Sequence, residues 1–241
     1  MKPLRLALLI SGGGTTAMAI EEATRTGPLQ GLVEIACVIV SRPDAGGIKK
    51  ALERKLICEV VRRKDFQDGI QFGRALISSF EKYEVTAIGQ HGWLPTTPLN
   101  VINLFPERTN NQHPGATDPG YPDFGGTGMH GARVPCATLY FMRKAKIPHP
   151  WIEATAHVVD PVVDRGLIIH SERVAILPDD TVASLQERLL PVEHKVQIEA
   201  WRQIATGTAK PHLRPEELIK RDYLEILNEA KRAAEILYPK G

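Results

Sequence analysis

The side chains best suited to chemistry stand at the start of a glycine- and proline-rich stretch, NNQHPGATDPGYPDFGGTGMHG (110–131). Asn111 and His113 are two residues apart, so on a strand their side chains point to the same face. An amide N–H stabilises a developing oxyanion, and a histidine stabilises charge or delivers a proton, so the pair suits carbonyl chemistry. The structural alternative is an asparagine that caps a turn and a hydrogen-bonded histidine before Pro114.

A carboxylate that fits the same chemistry is Asp164, in the segment VVDRGLII. At a turn that leads into a strand, this group is able to orient His113, to favour its charged form, or to take a proton through water. Two alternatives stand beside this hypothesis. Asp164 is also what an ordinary turn before a glycine would carry, and Asp160, four residues earlier, is a competing carboxylate.

A second candidate site is a glycine run between the first apolar run and the first amphipathic segment. It consists of Gly12, Gly13, Gly14, Thr15 and Thr16. Glycines let the backbone approach a ligand closely, and a helix N-terminus offers unpaired N–H groups to an anion. The two hydroxyl groups add donors, so a phosphate-bearing ligand fits. The alternative is a tight turn that a threonine caps.

The same run also matches Gly-x-Gly-x-x-Ala through Gly12, Gly14 and Ala17, a pattern of dinucleotide-binding oxidoreductases. That interpretation expects an acidic residue at the end of the second strand, where this chain has Ser41 and Arg42. Because an arginine there suits a 2′-phosphate, an NADP-dependent reductase is an alternative that the motif leaves open.

The elements that must position these residues alternate along the first half of the chain. LRLALLIS (4–11) and VEIACVIVS (33–41) are continuous apolar runs, typical of parallel strands that are buried on both faces. Helical segments and further strands follow in βαβαβαβ order, which predicts a Rossmann-like α/β fold with a mostly parallel sheet and helices on both faces. Farther on we predict two strands around a turn, a helix over 184–205, and a last helix from about 216 to 237 whose lysines and arginines form a solvated face.

Composition narrows the classes of protein. The chain has 241 residues and a formal net charge of +2, which does not favour a nucleic-acid partner. Three scattered cysteines suit a reducing compartment, and the first apolar run is too short to span a membrane, so we expect a cytoplasmic protein with no membrane partner. No metal site is predicted, because the candidate ligands do not have the spacing of any familiar metal site. These candidates are His130, Cys136, His149 and His157. The last helix covers the sheet or mediates a homodimer.

Taken in order, the motifs SGGGTT, VSRPDA, NQHPG, AHVVDPVVDRGLII, LPDDT and VEHK resemble the formyltransferase family, and within it the phosphoribosylglycinamide formyltransferases of purine synthesis. The likeness covers residues 4 to 208, which gives a formyltransferase domain over 1–208 and a C-terminal helical extension over 209–241. It implies formyl transfer from 10-formyltetrahydrofolate to the amine of a small phosphorylated acceptor. Glycinamide ribonucleotide is the first choice, and another amine, such as an amino-sugar nucleotide, is the alternative.

The resemblance also assigns roles to residues. Asn111 and His113 would stabilise the tetrahedral intermediate, Asp164 would assist proton transfer, and the glycine run would hold the substrate phosphate. No metal is required. The residues expected near the folate are Gln90, His91, Gly92, Trp93, Leu94, Val159 and Asp160.

The chain departs from the family pattern around the expected pocket. GATDP and GYPDFGGTGMH replace the usual residues after Asn-x-His-Pro, and the segment over 132–153 is longer than usual. His91-Gly92-Trp93-Leu94 stands where family members carry an arginine. These differences leave the fold and the chemistry in place, and they leave open the acceptor and the roles of 115–128, 132–153 and the last helix.

Overall fold

The computed structural model describes residues 2–241 and contains a seven-stranded sheet in the order β3-β2-β1-β4-β5-β6-β7. The pairs β1–β2, β1–β4, β2–β3 and β4–β5 are parallel, whereas β6 and β7 are antiparallel. The predicted α/β fold with a mostly parallel sheet is therefore confirmed. The strands are β1 Leu4–Ile10, β2 Val33–Val40, β3 Cys58–Val60, β4 Ala87–Gln90, β5 Thr109–His113, β6 Trp151–Val158 and β7 Ile168–Ala175.

Seven α-helices accompany these strands within residues 2–241. Short 3-10 turns occur at Arg63–Asp65 and Arg221–Tyr223. None of the helices in this range combines the length and the apolar character that crossing a membrane requires. The helices are α1 Thr15–Thr26, α2 Gly47–Glu53, α3 Gly69–Lys82, α4 Leu99–Ile102, α5 Arg133–Lys144, α6 Val182–Thr206 and α7 Leu224–Leu237.

The chain divides into two compact units. The first comprises the chain up to Gln112 together with Val158–Pro161 and Gln197–Ala209. The second comprises His113–His157, Val162–Val196 and Lys210–Gly241. The division at residue 208 into a domain and an extension stays a prediction.

The first unit has an apolar layer on each face of β1. Strand alternation sends Leu6 and Leu8 into one cluster, with Ile20 of α1, and Leu9 into another, with Phe72 of α3. All five side chains are fully buried. Burial on both faces explains why the strand is a continuous apolar run, as the sequence predicted.

The second unit contains β6, β7, α5 and α7. The Phe141 ring of α5 packs edge-on against Phe124 and Tyr223, with ring centroids 5.4 and 6.0 Å apart. The last helix begins at Leu224, so the predicted start near residue 216 is wrong. Backbone groups before it are engaged in tertiary hydrogen bonds instead: His212 pairs with β7, and the Leu218 N–H donates to Asp118 Oδ2.

Candidate active site

The glycine run of the first unit forms the junction between β1 and α1. Gly12, Gly13 and Thr15 are exposed, whereas Thr16 is buried. Gly14 adopts a left-handed conformation with φ of 63° and caps α1 without a side-chain hydrogen bond. A glycine permits that backbone at no steric cost, and the N-terminus of α1 meets the exposed loop. The geometry is that of an anion cradle with one accessible threonine hydroxyl.

A lysine that sequence reasoning missed adjoins this loop. Lys50 of α2 donates from Nζ to the Gly13 carbonyl oxygen at 2.8 Å. The close approach depends on Gly47, whose N–H donates to Gly12 O at 3.0 Å. A Cβ at Gly47 would lie 2.3 Å from Ile10 Cδ1, so a larger residue there would force the buried Ile10 side chain to move. The sequence did not indicate this contact of Lys50, because a lysine-rich helical segment is typical of a solvated face.

The segment after β4 is tied to the same edge of the sheet. Ser11 Oγ accepts the Leu94 N–H at 2.9 Å and also receives the Ser41 hydroxyl at 2.6 Å. Gln90 is buried and donates to Thr97 Oγ1 at 2.6 Å. Ser11, which follows β1, therefore joins the glycine run to the segment expected to meet the folate.

The five residues expected near the folate in this segment differ in exposure. His91 is buried, and its N–H donates to Leu9 O. The Trp93 ring is also buried and stacks on Phe72 with centroids 6.3 Å apart, so it serves packing. Leu94, at 50% exposure, presents its side chain to solvent.

A cleft of about 460 Å³ opens beside Leu94. Its wall combines apolar groups with a cluster of positive charges. Arg42 is held there by Asp44, at 3.1 and 2.6 Å, which lowers the pKa of that carboxyl through the hydrogen bond and the opposite charge. The lining residues are Ser41, Arg42, Pro43, Asp44, Arg62, Arg63, Lys64, Leu94 and Pro95.

Asn111 lies in the middle of β5, where it is half-buried and paired in register with Gln90. The adjacent Asn110 points to the opposite face and donates to Gln197 Oε1 of α6 at 2.9 Å, with both side chains fully buried. This anchor directs Asn111 and, by strand alternation, His113 away from α6. Of the other expected folate neighbours, Val159 donates its N–H to Thr109 O at 3.2 Å, and Asp160 is exposed.

In the second unit, the structure brings His113 and Asp164 together, with Nδ1 and Oδ2 3.5 Å apart. Both side chains are buried. His113 Nε2 lies 3.2 Å from the Phe124 carbonyl oxygen. Because a carbonyl only accepts, Nε2 carries the proton in that contact, and Nδ1 faces the carboxylate. The imidazole therefore gains an ion pair when it is protonated.

Asp164 is held by more than His113. It is a non-glycine residue in the left-handed region, with φ of 58°, and its Oδ2 accepts the Gly126 N–H at 2.9 Å. His157 Nε2 lies 3.5 Å from Oδ1. Burial alone raises the pKa of this carboxyl, but the charges of His113 and His157 and the hydrogen bonds outweigh burial and hold the pKa well below its usual range. Asp164 is thus a buried, ionised carboxylate.

The loop that follows Asn-x-His-Pro is built around Asp123, which is fully buried. Its Oδ2 accepts the Asp118 N–H at 2.7 Å and lies 3.2 Å from Arg165, while Oδ1 accepts the Gly125 N–H at 2.9 Å. A Cβ on Gly125 would stand 2.8 Å from Asp164 Cβ. The loop after Asn-x-His-Pro, in which this chain departs from the family pattern, therefore packs against Asp164 and donates a hydrogen bond to it.

The sequence did not indicate these supporting residues. That His157 faces Asp164 becomes visible only in three dimensions. The C-terminal residues also reach this loop: Arg214 donates to Thr117 O at 2.7 Å and forms a buried ion pair with Glu153.

Comparison with known proteins supplies independent findings. The family model described as formyl transferase matches residues 4–201. A chloroplastic phosphoribosylglycinamide formyltransferase of Arabidopsis thaliana is 28% identical over 197 residues, which are 81% of this chain and 63% of that protein. Its counterpart from Vigna unguiculata is 29% identical over 196 residues, 81% of this chain and 59% of that protein. The chain thus spans less than two thirds of the length of these relatives.

A solved structure gives a similar result. Glycinamide ribonucleotide transformylase 1 from Symbiobacterium toebii has a TM-score of 0.74 and 28% sequence identity. The superposition covers 86% of this chain and 89% of that chain. Sequence and backbone geometry therefore point to the same set of proteins.

Proposed function

Because the chain belongs to the formyl transferase family, we propose that it transfers a formyl group from 10-formyltetrahydrofolate to the amine of a small phosphorylated acceptor, and that this acceptor is glycinamide ribonucleotide. The observation that carries the proposal is the buried pair of His113 and Asp164, with the Gly126 N–H on the same carboxylate. Relatives of the chain that are named phosphoribosylglycinamide formyltransferase also support this proposal.

The proposed reaction begins when the acceptor amine attacks the formyl carbon. The carbonyl oxygen becomes an oxyanion, which the Asn111 amide and the His113 Nε2–H stabilise. The Nε2–H that now meets Phe124 O is the proton for which the oxyanion competes. Asp164 orients His113 through Nδ1 and, through water, relays the proton that the amine loses. Collapse of the intermediate breaks the bond to the folate nitrogen, which takes up the proton relayed from the amine as it leaves.

For the acceptor, we assign the phosphate to the glycine run at the start of α1. Exposed backbone and the Thr15 hydroxyl supply hydrogen bonds, and the Lys50 ammonium at Gly13 O supplies a positive charge. A cradle of this kind favours a compact dianion over a neutral group.

For the donor, we assign the folate to the edge around Leu94. The neighbouring cleft joins apolar Pro95 and Leu94 to a cluster of arginines and a lysine. Those groups suit a molecule with an aromatic body and glutamate carboxylates, as folates have. The chemistry needs no metal, since the oxyanion and the amine proton are both handled by side chains.

An amino-sugar nucleotide is the second candidate acceptor. It is favoured by the loop around Asp123, which differs from the family pattern and packs on Asp164, as well as by the longer segment that contains α5. The reductase alternative has less support, because Arg42 is already paired with Asp44 and the family match covers the glycine run.

The test is a steady-state assay with purified protein, 10-formyltetrahydrofolate and a panel of phosphorylated amines, with release of tetrahydrofolate followed by absorbance. We expect saturable turnover with glycinamide ribonucleotide and none with the dephosphorylated nucleoside. Turnover only with an amino-sugar nucleotide would replace the acceptor. Absence of turnover with every amine, together with tight NADPH binding by fluorescence, would overturn the proposal.

We also propose a cytoplasmic location, because Cys37, Cys58 and Cys136 are all free thiols, as a reducing compartment maintains them. Burial raises the pKa of the Cys37 thiol to about 12, so it is an inert core group. A homodimer stays a prediction, and the near-neutral charge continues to disfavour a nucleic-acid partner.

A further inference from the structure

One lysine of the last helix is not part of a solvated face, so that prediction is wrong for Lys231. Its side chain is half-buried in α7, and Nζ donates to the Gly125 carbonyl oxygen at 2.7 Å. Burial lowers the pKa of this lysine, and the nearby charge of Arg165 lowers it further. The negative charges of Asp123, Asp164 and Glu235 act in the opposite direction. The ammonium therefore lies among the charged groups of the candidate active site.

The Gly125 carbonyl connects this lysine to the catalytic carboxylate by a short path. Gly125 and Gly126 are adjacent, and the Gly126 N–H donates to Asp164 Oδ2 at 2.9 Å. Gly125 also packs so closely on Asp164 that a Cβ would stand 2.8 Å from the aspartate Cβ. Any displacement of the Gly125–Gly126 peptide therefore moves a donor on which Asp164 depends.

The helix that carries Lys231 is itself fastened to the same unit. Arg133 of α5 donates from Nε to Tyr238 O and from a terminal nitrogen to Pro239 O, both at 2.8 Å. Nearer the start of α7, Glu229 pairs with Lys144 and accepts the Tyr140 hydroxyl. With contacts on both sides of it, Lys231 projects from a rigid support, which is what a positioning group needs.

We propose that Lys231 is a positioning residue, which holds the Gly125–Gly126 peptide so that its N–H keeps Asp164 in the productive orientation toward His113. This role rests on the proposed formyl transfer for its catalytic consequence. It gives the C-terminal segment a function: α7 supplies the catalytic unit with a group that lies beyond residue 201, where the family match ends.

The kinetic test compares Lys231→Met with Arg232→Met, a matched control that removes an exposed cation at the next position of the same helix. We expect Lys231→Met to lower kcat by about 10- to 100-fold, since small misplacements of catalytic groups cost that much. The KM for glycinamide ribonucleotide should stay within about twofold, because ground-state binding is untouched. Lys231→Arg, which keeps a charged N–H donor, should recover most of the lost kcat, and Arg232→Met should match the wild type.

A second measurement separates this inference from the proposed function. In ¹⁵N NMR spectra, the Gly126 amide should exchange with solvent faster in Lys231→Met than in the wild type or Arg232→Met, whether or not the protein transfers formyl groups. Lys231→Gln takes the place of the methionine variant if that variant does not fold. Unchanged kcat and unchanged Gly126 exchange would overturn the role. A rise in KM with unchanged kcat would also contradict it, because that result would indicate that Lys231 contacts the substrate.

Discussion

Replacement of Asp164 by asparagine tests the central feature of the site with almost no change of shape. The carboxylate lies 3.5 Å from a nitrogen of both His113 and His157. At an effective dielectric constant of about 20, a unit charge pair at such a distance is worth roughly 5 kcal/mol. For a transition state in which His113 is protonated, Asp164→Asn removes stabilisation of that size, and kcat should fall by about 10³- to 10⁴-fold.

The assay is the release of tetrahydrofolate at saturating substrates, with thermal unfolding measured on the same samples. Asp179→Asn is the matched control, since Asp179 is an exposed aspartate in the loop after β7 and should leave kcat unaltered. Asp160→Asn distinguishes the competing carboxylate: exposed and near the expected folate, it should change KM for the donor rather than kcat. A folded Asp164→Asn enzyme with kcat within about threefold of the wild type would refute the ion-pair argument.

Three further predictions follow from the same geometry. Gly125→Ala places a methyl group 2.8 Å from Asp164 Cβ. This overpacking should lower the free energy of unfolding in urea by about 1 to 3 kcal/mol and reduce kcat. Gly12→Ala is the control, because the space around its Cβ is open and the variant should unfold like the wild type. Equal stability of the two variants would contradict this packing. Lys50→Met removes the ammonium at Gly13 O and should raise KM for the phosphorylated acceptor by about tenfold with little change in kcat; an unchanged KM would place the phosphate elsewhere. The depressed pKa of Asp164 predicts a stability contribution that is complete above the unfolded-state value near 4 and is lost as pH falls through the folded-state value. The difference in urea unfolding free energy between wild type and Asp164→Asn should therefore be constant between about pH 6 and 5 and shrink below about pH 4. A difference that persists unchanged to about pH 2.5 would show that the carboxylate gains no ionic stabilisation on folding.

Much of the first unit was predictable because its signals are local. The apolar run of β1 was predicted to within one residue of Leu4–Ile10, and the glycine run lies between β1 and α1 as expected. Part of the candidate site was also predictable, because an amide and an imidazole two apart at the end of a strand point to the same face.

Other elements were not predictable from local patterns. Helix α5 occupies a segment for which the sequence suggested only an unusual length, and α7 starts later than its helical composition indicates. In both cases the boundaries depend on tertiary contacts, such as the Leu218 N–H bond to Asp118, which compete with the helical hydrogen bonds.

The sequence by itself determined the alternation of strands and helices from β1 to β4, the glycine run before α1, and the residue types proposed for formyl transfer. Only the tertiary structure decided which carboxylate pairs with His113: Asp160 and Asp164 are equivalent as residue types, but Asp164 is buried 3.5 Å from the imidazole, whereas Asp160 is exposed. It also showed that the glycine-rich loop packs against Asp164, and that Lys231 donates a hydrogen bond to Gly125 of this loop, 106 residues earlier in the chain. The physical reason is that charge, burial and hydrogen bonding depend on distance through space, whereas sequence patterns report only on neighbours along the chain.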